Sequence, residues 1–131
     1  KGMMEFNQQL HKASKRMVPE QFGMFLRALT MEFLKRLVDK TPVDTGRARG
    51  NWQLTINTDT DDVVGNDDKS GQGTIASGLA NLATLRNHGI GQVVFITNNV
   101  PYIIELEEGR SKQFTGGMLK TTIAELRTAL L

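Results

Sequence analysis

The chain has 131 residues, no cysteine, 39% hydrophobic and 23% charged residues, and a formal net charge of +2. That length suits one domain around a single core, and the missing cysteine excludes a disulfide framework, a thiolate metal site and a thiol nucleophile. No apolar run approaches the roughly 20 residues that span a bilayer, so a soluble protein making no membrane contact is expected.

The charge is unevenly spread. Residues 1–50 carry ten basic and five acidic groups, residues 51–100 two and five, and the remainder four of each. A basic segment followed by an acidic one fits nucleic-acid contact, head-to-tail subunits whose opposite-sign faces meet in a ring, or an ordinary solvated surface.

Residues 4–17 read as a polar helix with Phe6, Leu10 and Met17 as sparse apolar positions. Pro19 suits the first turn of the next helix, where its missing N–H costs nothing. Along that helix Phe22, Phe25, Leu26, Leu29, Phe33 and Leu37 recur at three- and four-residue steps as one core-facing stripe, and Thr41-Pro42 marks the stop. Trp52, Leu54 and Ile56 alternate with polar residues in the period-two pattern of a half-buried strand. Asp61–Gly65 is a candidate short partner strand, and Asn66–Thr74 has loop composition. Ile75, Leu79, Leu82 and Leu85 suggest a modest helix closed by His88-Gly89; Val93–Thr97 is a second strand. Pro101–Glu108 is ambiguous between strand and helical turns, and Leu119, Ile123, Leu126 and Leu130 mark a final amphipathic helix after a Gly116-Gly117 hinge. The order predicts an α+β domain: a small antiparallel β-sheet packed against a long N-terminal helix and a C-terminal helix, with flexible loops.

The inventory for catalysis is thin. His11 and His88 are the two histidines and stand in no metal-ligand spacing. Gly65–Gly71 fails as a phosphate loop, because no Gly precedes Lys69 and two Asp would repel phosphate. The carboxylates at 59, 61, 62, 67 and 68 fit no calcium-loop spacing, and Glu105, Glu107 and Glu108 on one short segment do not flank a cleft. Few aromatics interleave the basic residues Lys12, Lys15, Arg16, Arg47 and Arg49, which argues against a strong nucleic-acid platform. Neither enzyme activity nor a cofactor or metal is expected. The most unusual local sequence joins the long helix to the first strand. There Pro42 fixes φ, Asp44 and Thr45 can bond nearby backbone N–H groups, and Gly46 permits positive φ. The result is either a well-made turn or a rigid corner presenting Arg47 and Arg49 to a partner's carboxylates before Trp52 enters the core.

Thr41-Pro-Val-Asp-Thr-Gly-Arg-Ala-Arg-Gly-Asn-Trp52 resembles the "TPVDTGRLRxSW" signature of phage tail-component proteins, the gene-product-ten-like family of lambdoid siphophages. Ile96–Ser111 resembles that family's "xxNxxPYAxxLExGxS" block, with Asn98, Pro101, Tyr102, Leu106, Glu107, Gly109 and Ser111 at matching places. The chain departs from the family at Ile103, where Ala is common, and at Phe114-Thr115, where Ala-Pro is usual.

The resemblance implies one tail-completion or neck domain over 1–131. Its parts are N-terminal helices (1–40), the signature corner and strand (41–58), a variable insert (59–91), a strand with the second block (92–110) and a C-terminal helix (117–131). It implies a ring, usually sixfold, between head-completion or adaptor proteins and the tail-terminator or tail-tube proteins, with DNA passing unread through the lumen. The chain would sit in the virion neck, and in the host cytoplasm before assembly. A tail terminator capping the tube is the near alternative, and a nucleic-acid-binding module the distant one. Arg47, Arg49, Trp52, Asn98, Tyr102, Glu105, Glu107 and Glu108 are the implied subunit-contact residues. Pro42, Asp44, Thr45, Gly46 and Gly109 are the implied structural corner.

Overall fold

A computed structural model describes residues 2–130. Its axis is the helix α2 (Pro19–Lys40), which begins with Pro19 after an extended Val18. The first helix, α1 (Met3–Arg16), precedes it, and the C-terminal α6 (Met118–Ala129) lies along it. The buried face of α2 is wider than the expected stripe: Leu34, Leu37 and Val38 are fully enclosed and Phe25 is only half-buried. Elements packing on several sides of one helix require apolar residues around more of its circumference.

Charge adds a brace between α2 and α6. Glu125 accepts from Lys40 at 2.8 Å and Arg36 at 3.0 Å, and Lys40 also donates to the hydroxyls of Thr121 and Thr122. The Lys40 hydrogen bond, helped by Arg36, holds the Glu125 carboxyl below its ordinary pKa against the opposing effect of partial burial.

The short helix α3 (Arg47–Gly50) follows α2, and the strand β1 (Gln53–Ile56) follows α3. β1 pairs antiparallel with β2 (Val94–Thr97) in the register Gln53↔Thr97 to Ile56↔Val94. Leu54, 1% exposed, points from this ribbon into the core. Between the strands lie α4 (Gln72–Leu82) and a 3-10 turn at Asn87–Gly89. The chain ends with α5 (Ile103–Glu107) and α6. The α+β class, the two-stranded antiparallel sheet and the long flanking helices agree with the sequence pattern. The final residue of the expected 117–131 helix lies outside the described residues.

Four local expectations change. Asp61–Gly65 forms no strand, because side-chain amides take the backbone groups a ladder would use: Gln53 and Asn99 donate to Asp62 O, and Asn51 bonds both Val64 N–H and Val64 O. The expected loop over Asn66–Thr74 is shorter, since α4 begins at Gln72. Of the expected positions Ile75, Leu79, Leu82 and Leu85, the last two are buried and Ile75 packs on the core, but Leu79 is 57% exposed and Thr74 and Gly78 turn inward. Gly78 explains why Leu79 stays outside. A Cβ there would sit 2.3 Å from Leu34 Cδ2, so α4 presses its glycine face onto α2. Pro101–Glu108 resolves as α5, a single helical turn and a little more.

Arg27, off the predicted stripe, donates to the Leu82 and Leu85 carbonyls. A cation thereby meets the C-terminal end of α4.

Candidate functional site

The residues of the first sequence block, with Asn98 of the second, converge on the corner after α2. Thr41 ends that helix with its hydroxyl donating to Leu37 O at 2.6 Å, and the same oxygen accepts from Trp52 Nε1 at 2.7 Å. Pro42 cannot continue the helix. Thr45 Oγ1 accepts from Arg47 N–H, while Asp44 is exposed. Gly46 is required twice over: its φ is +89°, and a Cβ would lie 2.6 Å from Lys69 N.

The two arginines do different work. Arg49 is a staple: its guanidinium donates to the carbonyls of Thr41 (3.2 Å), Asp39 (3.2 Å) and Lys69 (2.8 Å), tying the end of α2 to the loop before α4. Arg47 pairs with Asp67 at 2.5 Å, and both side chains remain over 40% exposed. The Asp67 hydrogen bond raises the already high Arg47 pKa, with a small contribution from nearby Tyr102. Its charge is therefore fixed across any working pH.

Asn51, completely buried, is a pivot that the sequence pattern does not announce. Its amide donates to Arg47 O (2.8 Å) and Val64 O (2.9 Å) and accepts from Val64 N–H (2.8 Å). Gly50 beside it has no room for a side chain, since a Cβ would fall 1.9 Å from Asn66 O. Asn51 stands inside the first motif, and its one signal is a polar residue directly before a core tryptophan.

Asp68 organises the loop's other end. Its carboxylate accepts from Thr74 N–H and Thr74 Oγ1, both at 2.8 Å, and from Gly71 N–H at 3.1 Å. Partial burial pushes its pKa up. The bonds from Thr74, Gly71 and Ser70 outweigh that and leave it below the ordinary value. The anion position at the start of α4 is thus filled from within. Asp59, held by Thr97 and Thr60, is likewise lowered.

The second block reaches the same corner. Asn98 donates to Ala48 O at 2.8 Å, and just beyond the block Gln113 exchanges two bonds with the Val43 backbone, each 2.7 Å. Tyr102 and Glu105 are exposed, and Glu108 pairs with Arg110 at 3.3 Å. Glu107 turns inward and accepts from Leu119 N–H (2.8 Å) and Lys120 N–H (3.0 Å), capping α6 from another element. Gly109, φ +85°, makes room for Thr115 O, which a Cβ would meet at 2.5 Å. The arrangement therefore brings together Arg47, Arg49, Trp52, Asn98 and Tyr102, and sets Glu105 and Glu107 on α5 and Glu108 just after it.

Chemically this is a braced surface. No cluster of residues fit to hold a metal ion occurs among the described residues. His11 is exposed on α1, and His88 stands 4.0 Å from the exposed Glu20. Among the described residues no helix is long and apolar enough to cross a membrane.

A family model described as "Bacteriophage HK97-gp10, putative tail-component" matches residues 4–109, which takes in α1, the corner, both strands and α5. No curated protein and no solved structure matches the chain.

Proposed function

The chain belongs to the HK97-gp10-like family of phage tail components, and on that premise we propose that it is a structural, non-enzymatic subunit of the head–tail junction in the virion. Copies form a ring, sixfold by the family's analogy, around the channel through which DNA passes unread. The head-completion or adaptor proteins lie on one side of the ring, and the tail-terminator or tail-tube proteins on the other. The observation that carries this reading is the doubly braced corner. Both family blocks are spent on fixing one surface rather than on lining a reactive cleft, and Arg47 and Tyr102 are left displayed on it. Preorganised charged groups on a rigid support are what an assembling interface needs.

Cryo-electron microscopy of intact particles tests the proposal. A closed ring of this chain between portal and tube is the expected result. The same chain found at the distal tail tip, or missing from the particle, would refute it. The basic face of α1, with exposed Lys12, Lys15 and Arg16, favours nucleic-acid contact as the second reading. Binding of duplex DNA by the isolated chain that weakens steeply with salt would select that alternative.

A further inference from the structure

The two-stranded sheet leaves one edge open. Asn57 N–H donates to Val93 O at 2.7 Å, which sets the hydrogen-bonded positions of β2 at 93, 95 and 97. The N–H and C=O groups of Val94 and Ile96 therefore point away from β1. The far side of β1 is different, because Leu54 O already accepts from Asn81 Nδ2 at 2.9 Å.

Val94 and Ile96 lie on a groove of about 1000 Å³ between β2 and α1, floored by Phe22, Leu26 and Leu29 of α2. The titratable groups lining it are His11 and Lys15, with no carboxylate among the described residues there. An apolar strand edge in such a place is an invitation to pairing unless something covers it.

The same chain displays a segment of complementary design. Backbone groups of Thr60, Asp62 and Val64 are held by Asn99, Gln53 and Asn51, while those of Asp61 and Val63 have no hydrogen-bond partner among the described residues. This alternate holding leaves one side of the segment free. Val63 is 51% exposed, and Asp59, Asp61 and Asp62 give the segment a charge opposite to the groove wall.

We propose that the groove between α1 and β2 receives a second copy of this chain, whose Asp61–Gly65 segment enters as a third strand along Val94–Ile96. The inference rests on the ring reading above and names the contact by which neighbours join. Main-chain pairing supplies the affinity, Val63 meets the apolar floor, and the aspartates face His11 and Lys15. The segment has the strand-like sequence and β2 has the free edge, so the pairing missing within one copy is completed between two.

The chain has no native cysteine, which makes cross-linking clean. Particles assembled with Val63→Cys combined with Val94→Cys, or with Ile96→Cys, are oxidised and their proteins separated under denaturing conditions. The expected result is a ladder of covalent multimers of this chain in one of the two pairings, at least tenfold above the single-cysteine particles. Multimers absent from both pairings, or capture of a different tail protein by the Val94→Cys thiol, would overturn the proposal while leaving a ring intact. Particles holding a single copy of the chain would refute the ring reading itself. If the variants fail to assemble, hydrogen–deuterium exchange on the unmodified chain decides. Amides of Val63, Val94 and Ile96 become protected on assembly if the pairing forms, and their continued rapid exchange would sink it.

Discussion

The frame around α2 and the platform around the corner are built from different forces. Leu34, Leu37, Leu54, Leu82 and Met118 are closed away from water, and their cohesion grows with buried apolar area and is indifferent to direction. Residues 41–52 and 58–71 meet instead through amide, guanidinium and carboxylate bonds from Asn51, Arg49 and Asp67, each of which has one correct geometry. The contrast teaches that the frame tolerates conservative change whereas the platform is specified atom by atom.

The sharpest way to break the frame is Leu34→Ala. A fully buried leucine pressed by Gly78 leaves a cavity, and a loss of about 3 kcal/mol in urea unfolding is expected, with every probe reporting one transition. Asn51→Leu should separate the two regions. It strands Val64 N–H and two carbonyls, with an expected cost of about 2 kcal/mol. Limited proteolysis then cuts first within residues 58–70 while α2 and α6 stay protected; simultaneous cleavage everywhere would show that the regions are one cooperative unit.

Asp68→Asn weakens the start of α4 by about 1 kcal/mol, measured by thermal or urea unfolding. Its pH dependence is the sharper reading. Asp68 and Glu125 have folded pKa values below their ordinary ones, about 3.9 and 4.3 for Asp and Glu. Their contribution is thus fully present above those ordinary values and is lost as pH falls through the folded ones. Wild-type stability should be level near pH 6 and decline below about pH 4.5, by the same linkage. Asp68→Asn flattens part of that decline, and an unchanged acid limb would contradict the assignment.

The smallest effect on folding belongs to Arg47→Glu. An exposed, solvent-screened pair contributes little to folding, so unfolding should barely shift. Particle assembly should nevertheless fail if Arg47 meets an acidic neighbour, and normal titres of infectious particles would remove it from the interface. The corresponding change at Arg49 is a poorer probe, because its three carbonyl bonds confound folding with assembly.

The frame was legible from the sequence because periodicity reports burial. α2, α6, both strands and the helix-to-strand corner follow from spacing, and Gly46 followed from turn chemistry. The platform's second half was not legible. A loop held by Asn51, Asp68 and Asn99 has no period, and the stretch Asn66–Thr74 that contains Asp68 reads as loop composition. α4 misled for a related reason. Gly78 contributes no hydrophobic signal, yet its lack of a side chain decides which face of the helix turns inward. The Asp61–Gly65 segment read as a strand, and its backbone is instead claimed by side-chain amides along one side.

The carboxylates at the starts of α4 and α6 also bear on how the surface meets anions. Asp68 and Glu107 each occupy a helix end that would otherwise attract phosphate, and both are tethered nearby. A tethered ligand competes at an effective concentration of order millimolar or above. A free phosphate or polyanion brought to either helix end would meet a socket already occupied.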